Sequence, residues 1–364
     1  MTDPGDAFLE LVEAWTRHGR DLGDAEFDAR ALALYAYQIE RNEPYARFAA
    51  SLGFSSSRKP RDWRAIPAVP SSAFKDATLA TFPVARAELV FRTSGTTAER
   101  SGTHYVERAA LYDAALLAGF DHFMLPDRPR LRFLNLVPNP RDNRNSSLGY
   151  MLGHAGVLRG DGPPAYFLDG DALDVAGFAA ALEKARAAGE PVLIATTAFA
   201  LAALLDELDA RGLRFAAPRG SRVMETGGFK GRVKAVAREE LYARTERALG
   251  VAEREVVAEY GMTELLSQFY DTPQSRASAV RVKAGPPWLR TLVVDAAGNA
   301  VPQGTTGYLR HVDLANVSSV LAIDTEDRGY AVEGGFVLLG RDLDAPPRGC
   351  SLDAEALYAR AAGG

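Results

Sequence analysis

Apolar positions along this chain follow a helical spacing first and a strand-and-helix alternation later, and the change divides the sequence. From Asp6 to about Leu52 the spacing is helical, with Phe8, Leu9, Leu11, Val12 and Trp15 on one narrow stripe. A second helical stretch, Ala31 to Glu43, is expected to break or kink at Pro44, and Pro60 to Pro70 reads as extended. A short strand is expected at 87–91, running into a Ser/Thr/Gly segment. Strands at 131–137, 191–196, 221–226 and 255–260 then alternate with helices at 175–188, 199–212 and 234–249. Strands separated by helices of this length predict an α/β fold with a parallel or mixed sheet covered on both faces.

After about residue 285 the rhythm shortens to strands at 291–295, 307–310, 319–324 and 335–339 with glycine turns between them. The expected organisation is one large domain over 1–340, with an α/β core at 85–285 and a β-rich subdomain at 286–340. Residues 341–364 read as a hinge remnant and a short tail.

Composition narrows the function classes. Hydrophobic residues make up 47% of 364 and charged residues 24%, which suits a globular chain with a large core. Basic and acidic side chains, 42 against 47, leave a net charge of -5 and no basic block, so a nucleic-acid partner is not expected. Cys350 is the only cysteine, which excludes a disulfide within the chain and points to a reducing compartment. The N-terminus lacks a basic start and an apolar core, so no signal peptide is expected. The longest uncharged apolar stretch, Pro191 to Leu205, falls short of the roughly 20 residues of a membrane helix. A cytoplasmic location without a membrane span is the expectation. Five scattered histidines offer no metal-ligand spacing of the kind a hydrolase uses.

Three segments carry chemistry. In Thr93-Ser94-Gly95-Thr96-Thr97 a glycine permits close approach to a phosphate, and amides and hydroxyls can face its oxygens. An ordinary turn after a strand has the same composition. In Tyr260-Gly261-Met262-Thr263-Glu264 a ring can stack on a base, a hydroxyl can reach a phosphate and a carboxylate can hold magnesium. The structural alternative is a strand leading into a helix whose first turn carries Glu264. Between Ile323 and Gly329, Asp327 can hold both hydroxyls of a ribose, and Arg341 lies further on; a hairpin with charged turns is the alternative.

The order and spacing of these segments resemble the adenylate-forming superfamily of acyl-CoA ligases, peptide-synthetase adenylation domains and luciferases, over roughly residues 85 to 345. The resemblance implies ATP and Mg2+ as cofactors. It assigns Ser94, Gly95, Thr96 and Thr97 to the pyrophosphate end of ATP, and Gly227, Gly228 and Phe229 to the adenine. By the same resemblance Tyr260 and Thr263 contact adenine and the α-phosphate, Glu264 takes magnesium as metal ligand and catalytic residue, Asp327 holds the ribose and Arg341 marks the hinge. Two departures stand out. The phosphate loop runs Ala98-Glu99-Arg100-Ser101-Gly102 where the superfamily has Gly-x-Pro-Lys, and Glu326 replaces the glycine of Thr-Gly-Asp.

In most of the superfamily a mobile C-terminal domain with a catalytic lysine follows the hinge. Here 23 residues follow Arg341 and no lysine follows Lys283, so that swinging domain is expected to be essentially absent. The tail carries Cys350 two residues from Arg348 and beside Ser351, a cap for a short helix, and both features favour a thiolate. A small buried cysteine is the alternative. An adenylating enzyme with a cysteine in a short tail resembles the fatty acyl-protein synthetase family of bacterial bioluminescence. That resemblance implies conversion of a fatty acid to acyl-AMP, transfer of the acyl group to Cys350, and delivery to a partner acyl reductase. Residues 145–151 are candidates for lining the acyl pocket, or form a glycine-bearing loop before a helix. Competing expectations are an acyl-CoA or aryl-CoA ligase, and a degenerate nucleotide-binding scaffold.

Overall fold

A computed structural model describes residues 3–55, 58–93, 101–170, 172–227, 237–276 and 278–341. The helical spacing at the N-terminus resolves into three helices, α1 (Pro4–His18), α2 (Asp24–Arg41) and α3 (Glu43–Ser51). Asp3 caps α1 by accepting from the Gly5 and Asp6 amides, and Gly19 ends it in a left-handed conformation at φ 60°. Pro44 does not kink a long helix. Asn42 ends α2 and caps α3, and Pro44 sits in the first turn of α3, where its missing N–H costs nothing.

The chain continues through β1 (Val69–Pro70), α4 (Ala73–Asp76), β2 (Leu89–Arg92), β3 (Thr103–Val106) and α5 (Ala109–Met124). The alternating section follows as β4 (Arg132–Pro138), α6 (Ser147–Arg159), β5 (Ala165–Asp169), β6 (Ala172–Leu173), α7 (Val175–Ala188), β7 (Val192–Thr197), α8 (Ala198–Ala210), β8 (Arg222–Thr226), α9 (Arg238–Leu249) and β9 (Val256–Tyr260). Then come β10 (Phe269–Asp271), β11 (Lys283–Ala284), β12 (Leu289–Val294), β13 (Gly307–Asp313), β14 (Ala322–Val332) and β15 (Gly335–Arg341).

Contacts gather these elements into two units. The first takes the described residues of Met1–Ala118, Met262–Ser267 and Gly285–Gly364; the second takes Gly119–Gly261 and Gln268–Ala284. In the second unit β5, β4, β7, β8 and β9 run parallel in that order, with β6, β10 and β11 added antiparallel, so its sheet is mixed. Its strands are apolar on both faces, as strands covered by helices must be. Leu134, Leu136, Ile194, Val223 and Val256 pack with α7, α8 and α9 through Phe178, Leu182, Leu201, Leu205 and Leu249. On the other face Phe133 stacks on Phe120 of α5 at 5.8 Å.

The first unit joins the N-terminal helices to an antiparallel sheet, β12–β13–β14–β15, with β1 parallel to β14. Trp288 is fully buried and meets Phe8 and Trp15 edge to face at 5.6 and 5.1 Å. Gln38 of α2 donates to the Asn316 carbonyl at 2.6 Å and accepts from the Leu321 amide at 3.0 Å, so α2 near the start of the chain is fastened to the β13–β14 connection near its end. Among the described residues no helix is long and apolar enough to cross a membrane.

Candidate functional site

The Ser/Thr/Gly segment is the connection of a hairpin. β2 and β3 pair from Leu89 against Val106 to Arg92 against Thr103. Beyond the last pair the Thr93 amide donates to the Gly102 carbonyl at 2.9 Å, and the Gly102 amide donates to Thr93 Oγ1 at 2.8 Å. The loop is therefore pinched at its base. A side chain at 102 would meet the backbone and Cβ of Phe74 at 3.3 Å, which explains the glycine. Ser94, Gly95, Thr96 and Thr97, together with Arg100, lie outside the described residues.

Gly227 follows β8 directly and holds φ +72°, a left-handed conformation that favours glycine. Gly228 and Phe229 lie outside the described residues. Thr226, the last residue of β8, stands in register with Glu259 of the parallel strand β9 and donates its hydroxyl to the Glu259 carboxylate. Both side chains are buried. Tyr260 ends β9, its ring tilted against Phe269 at 5.9 Å. A Cβ on Gly261 would come within 2.5 Å of the Glu259 carboxylate, so the glycine leaves room for the Thr226–Glu259 pair. In this second unit the ends of β8 and β9 are thus joined by a buried side-chain hydrogen bond.

The rest of that motif belongs to the first unit. No helix starts at Glu264; Met262 to Ser267 forms a turn, with the Leu265 amide on the Met262 carbonyl at 3.1 Å. The alternative of a helical first turn therefore does not hold. Buried side chains grip this turn at successive backbone groups. His104 Nδ1 lies 2.8 Å from the Thr263 carbonyl. Asn316 Nδ2 donates to the Glu264 carbonyl at 2.8 Å. Asp313 accepts from the Leu266 amide at 3.0 Å and the Ser267 hydroxyl at 2.9 Å. Burial lowers the His104 pKa to about 4 and raises that of Asp313 to about 6. Neutral His104 must carry its hydrogen on Nδ1, because a carbonyl only accepts. Its Nε2 is buried without a partner.

Glu264 is 7% exposed. Among the described residues no group of three or more histidines, cysteines or carboxylates is arranged to hold a metal ion. One carboxylate fits Mg2+, which takes one or two protein carboxylates and fills its remaining positions with phosphate oxygens and water.

Asp327 lies on β14 opposite Arg341 of β15, within the hairpin that charged turns predict. The Asp327 amide donates to Thr325 Oγ1 at 3.1 Å. Arg341 Nε donates to Glu326 at 2.8 Å, so the residue that departs from Thr-Gly-Asp engages the arginine. Cys350 lies outside the described residues. No sequence signal marks His104, Asp313, Asn316, Thr226 or Glu259, which belong to no motif and are brought to the motifs by strand pairing and long-range packing.

The family model "Acyl-protein synthetase, LuxE" matches residues 21–352. The chain belongs to this family. It is similar to a long-chain-fatty-acid–luciferin-component ligase of Vibrio harveyi, 22% identical over 313 residues, 82% of this chain and 77% of that relative. Among solved structures it is similar to 2-hydroxyisobutyryl-CoA ligase in complex with 2-HIB-AMP and CoA, with a TM-score of 0.64 and 17% identity over 90% of this chain and 73% of the other. It is also similar to ATP-bound MatB from Rhodopseudomonas palustris, with a TM-score of 0.52 and 17% identity, covering 73% of this chain and half (50%) of the other. The mixed α/β fold is that of adenylate-forming ligases, as the ordered motifs predict. Membership makes the chain an acyl-protein synthetase.

Proposed function

We propose that the protein activates a long-chain fatty acid as acyl-AMP, takes the acyl group onto Cys350 and delivers it to a partner acyl reductase or another acceptor protein. The observation that carries this reading is the family match itself, which runs to residue 352 and so includes Cys350. The fatty-acid substrate is supported by the name of the Vibrio harveyi relative.

In the first step a carboxylate oxygen of the acid attacks the α-phosphorus of ATP, and the bond to pyrophosphate breaks. Ser94, Gly95, Thr96 and Thr97 take the pyrophosphate end, Gly227, Gly228 and Phe229 lie along the adenine, and Tyr260 and Thr263 contact adenine and α-phosphate. Asp327 holds the ribose and Arg341 serves the hinge. Glu264 would hold Mg2+, which when bound offsets charge on the departing pyrophosphate. In the second step the Cys350 thiolate attacks the acyl carbonyl, AMP leaves, and a thioester stores the activation. The thiol's proton goes to solvent.

Incubation with ATP, Mg2+ and a panel of labelled fatty acids, followed by intact-protein and peptide mass measurement, tests the reading. An acyl adduct on the Cys350 peptide is expected. Cys350→Ser should still form acyl-AMP and carry no stable adduct. Acid-dependent pyrophosphate exchange without any adduct, and with product appearing only when CoA is added, would replace the cysteine acceptor by CoA.

A further inference from the structure

We propose that His104 is a positioning residue for adenylation, holding the Thr263–Glu264 turn in the geometry that the α-phosphate and Mg2+ require. The inference rests on the roles proposed above for Thr263 and Glu264.

Three observations carry it. His104 is the second residue of β3, just beyond the pinched base of the 94–101 loop, and it is fully buried. Its Nδ1–H reaches the carbonyl of Thr263 itself, 159 residues away, at 2.8 Å. A direct hydrogen bond therefore joins the phosphate-loop hairpin to the turn that carries the residues proposed for the α-phosphate and magnesium, within one unit. Asn316 holds the next carbonyl, that of Glu264, at 2.8 Å from the β13–β14 connection, so consecutive peptide groups are fixed from different elements. Two fixed carbonyls define the path of the backbone from which both side chains project.

A residue selected only for packing would not be expected to look like this. Nε2 of His104 is buried without a partner, an arrangement that an apolar side chain of similar shape avoids. The ring also meets Phe74 edge to face at 5.5 Å, which sets its plane and aims Nδ1. Burial keeps the imidazole neutral, so the interaction is a directional hydrogen bond between uncharged groups.

The test compares three proteins in acid-dependent ATP–pyrophosphate exchange with titrated Mg2+. His104→Phe keeps the ring and removes the donor; His104→Asn puts an amide N–H close to the position of Nδ1. In His104→Phe the exchange kcat should fall by ~10-fold or more and the half-saturating Mg2+ should rise by ~5-fold, while KM for the fatty acid moves less than ~2-fold, because misplacement by an ångström acts on the reacting groups. His104→Asn should restore most of the rate and the wild-type Mg2+ dependence. Asn316→Ala should reproduce the same split from another element, and it decides the matter if His104→Phe does not fold. Wild-type kinetics in His104→Phe, or equal losses in the Phe and Asn variants with KM for the acid moving in step, overturn the inference alone. A wild-type protein that exchanges no pyrophosphate with any acid overturns the proposed roles of Thr263 and Glu264, and this inference with them.

Discussion

Thr226 and Glu259 show what a single buried contact does at the mouth of a parallel sheet. Their hydrogen bond joins the ends of neighbouring strands just before Gly227 and Tyr260, and Gly261 has no side chain because a Cβ would displace the carboxylate. Thr226→Val leaves the buried Glu259 carboxylate without its hydroxyl donor. It should lower the unfolding free energy in urea by about 1.5–3 kcal/mol, the usual worth of a hydrogen bond to a charged group. Gly261→Ala should slow acid-dependent exchange, with the loss larger than any fall in urea midpoint, because the displaced carboxylate joins the strand ends that lead into Gly227 and Tyr260. Equal exchange rates for Gly261→Ala and the wild type would show that this pair serves stability alone.

Elements are held in place by a second kind of buried polar chemistry. The end of the second unit's sheet, β9–β10–β11, encloses Asp271, which is not exposed at all. Lys283 Nζ lies 2.8 Å from it, Arg281 3.0 Å, and the Ala258 amide donates to it at 3.0 Å. Burial alone would raise the Asp271 pKa, but Lys283 and Arg281 outweigh it and hold the carboxyl below its usual range. Lys283 also donates to the Ala258 carbonyl at 2.6 Å, so the ion pairs staple β9 to its antiparallel neighbours behind Tyr260. Lys283→Met should cost about 3–5 kcal/mol in urea unfolding, because one partner of a buried pair is left behind. Replacing Asp271 and Lys283 together by apolar residues should cost less than the single change, and a double-mutant cycle measures that difference.

At the scale of the whole molecule the buried titratable groups set the response to acid. Burial depresses His104 to about 4 and His311 to about 3, so the unfolded chain binds their protons first, and their contribution to stability is lost as pH falls below 6.5. Asp313 has the opposite sign: its folded pKa, raised to about 6, makes the folded state bind a proton first, so its term adds stability as pH falls. His122, lowered by burial, and Glu225, raised by burial, also oppose each other. Between pH 6 and 4.5 the two buried histidines outweigh Asp313, so protons are taken up on unfolding and stability falls on acidification. Urea unfolding across that range measures the slope. His104→Asn should flatten it, and a slope unchanged in that variant would show that His104 is not neutral in the folded protein.

Most of the alternating section was legible in the sequence. The helix expected over 175–188 is α7 itself, and the strands expected near 131, 191, 221 and 255 are β4, β7, β8 and β9. Local apolar periodicity is enough for such elements, because covered strands and amphipathic helices display their burial within a few residues. The expected strand at 319–324 begins three residues later and runs on to Val332, since pairing with β13 and β15, rather than its own composition, sets its length. The three ordered motifs likewise carried the resemblance to adenylate-forming enzymes, whose fold the structure shares. What the sequence by itself determined was therefore the set of elements and, through the order of its motifs, the family resemblance, both of which are written in short-range patterns. Only the tertiary structure decided that Met262 to Ser267 is a gripped turn, that α2 is fastened to the β13–β14 connection some 280 residues on, and that His104 reaches Thr263. Those are hydrogen bonds and ring contacts between groups far apart in the chain, and a lone buried histidine or asparagine gives no periodic signal of the partner it will meet.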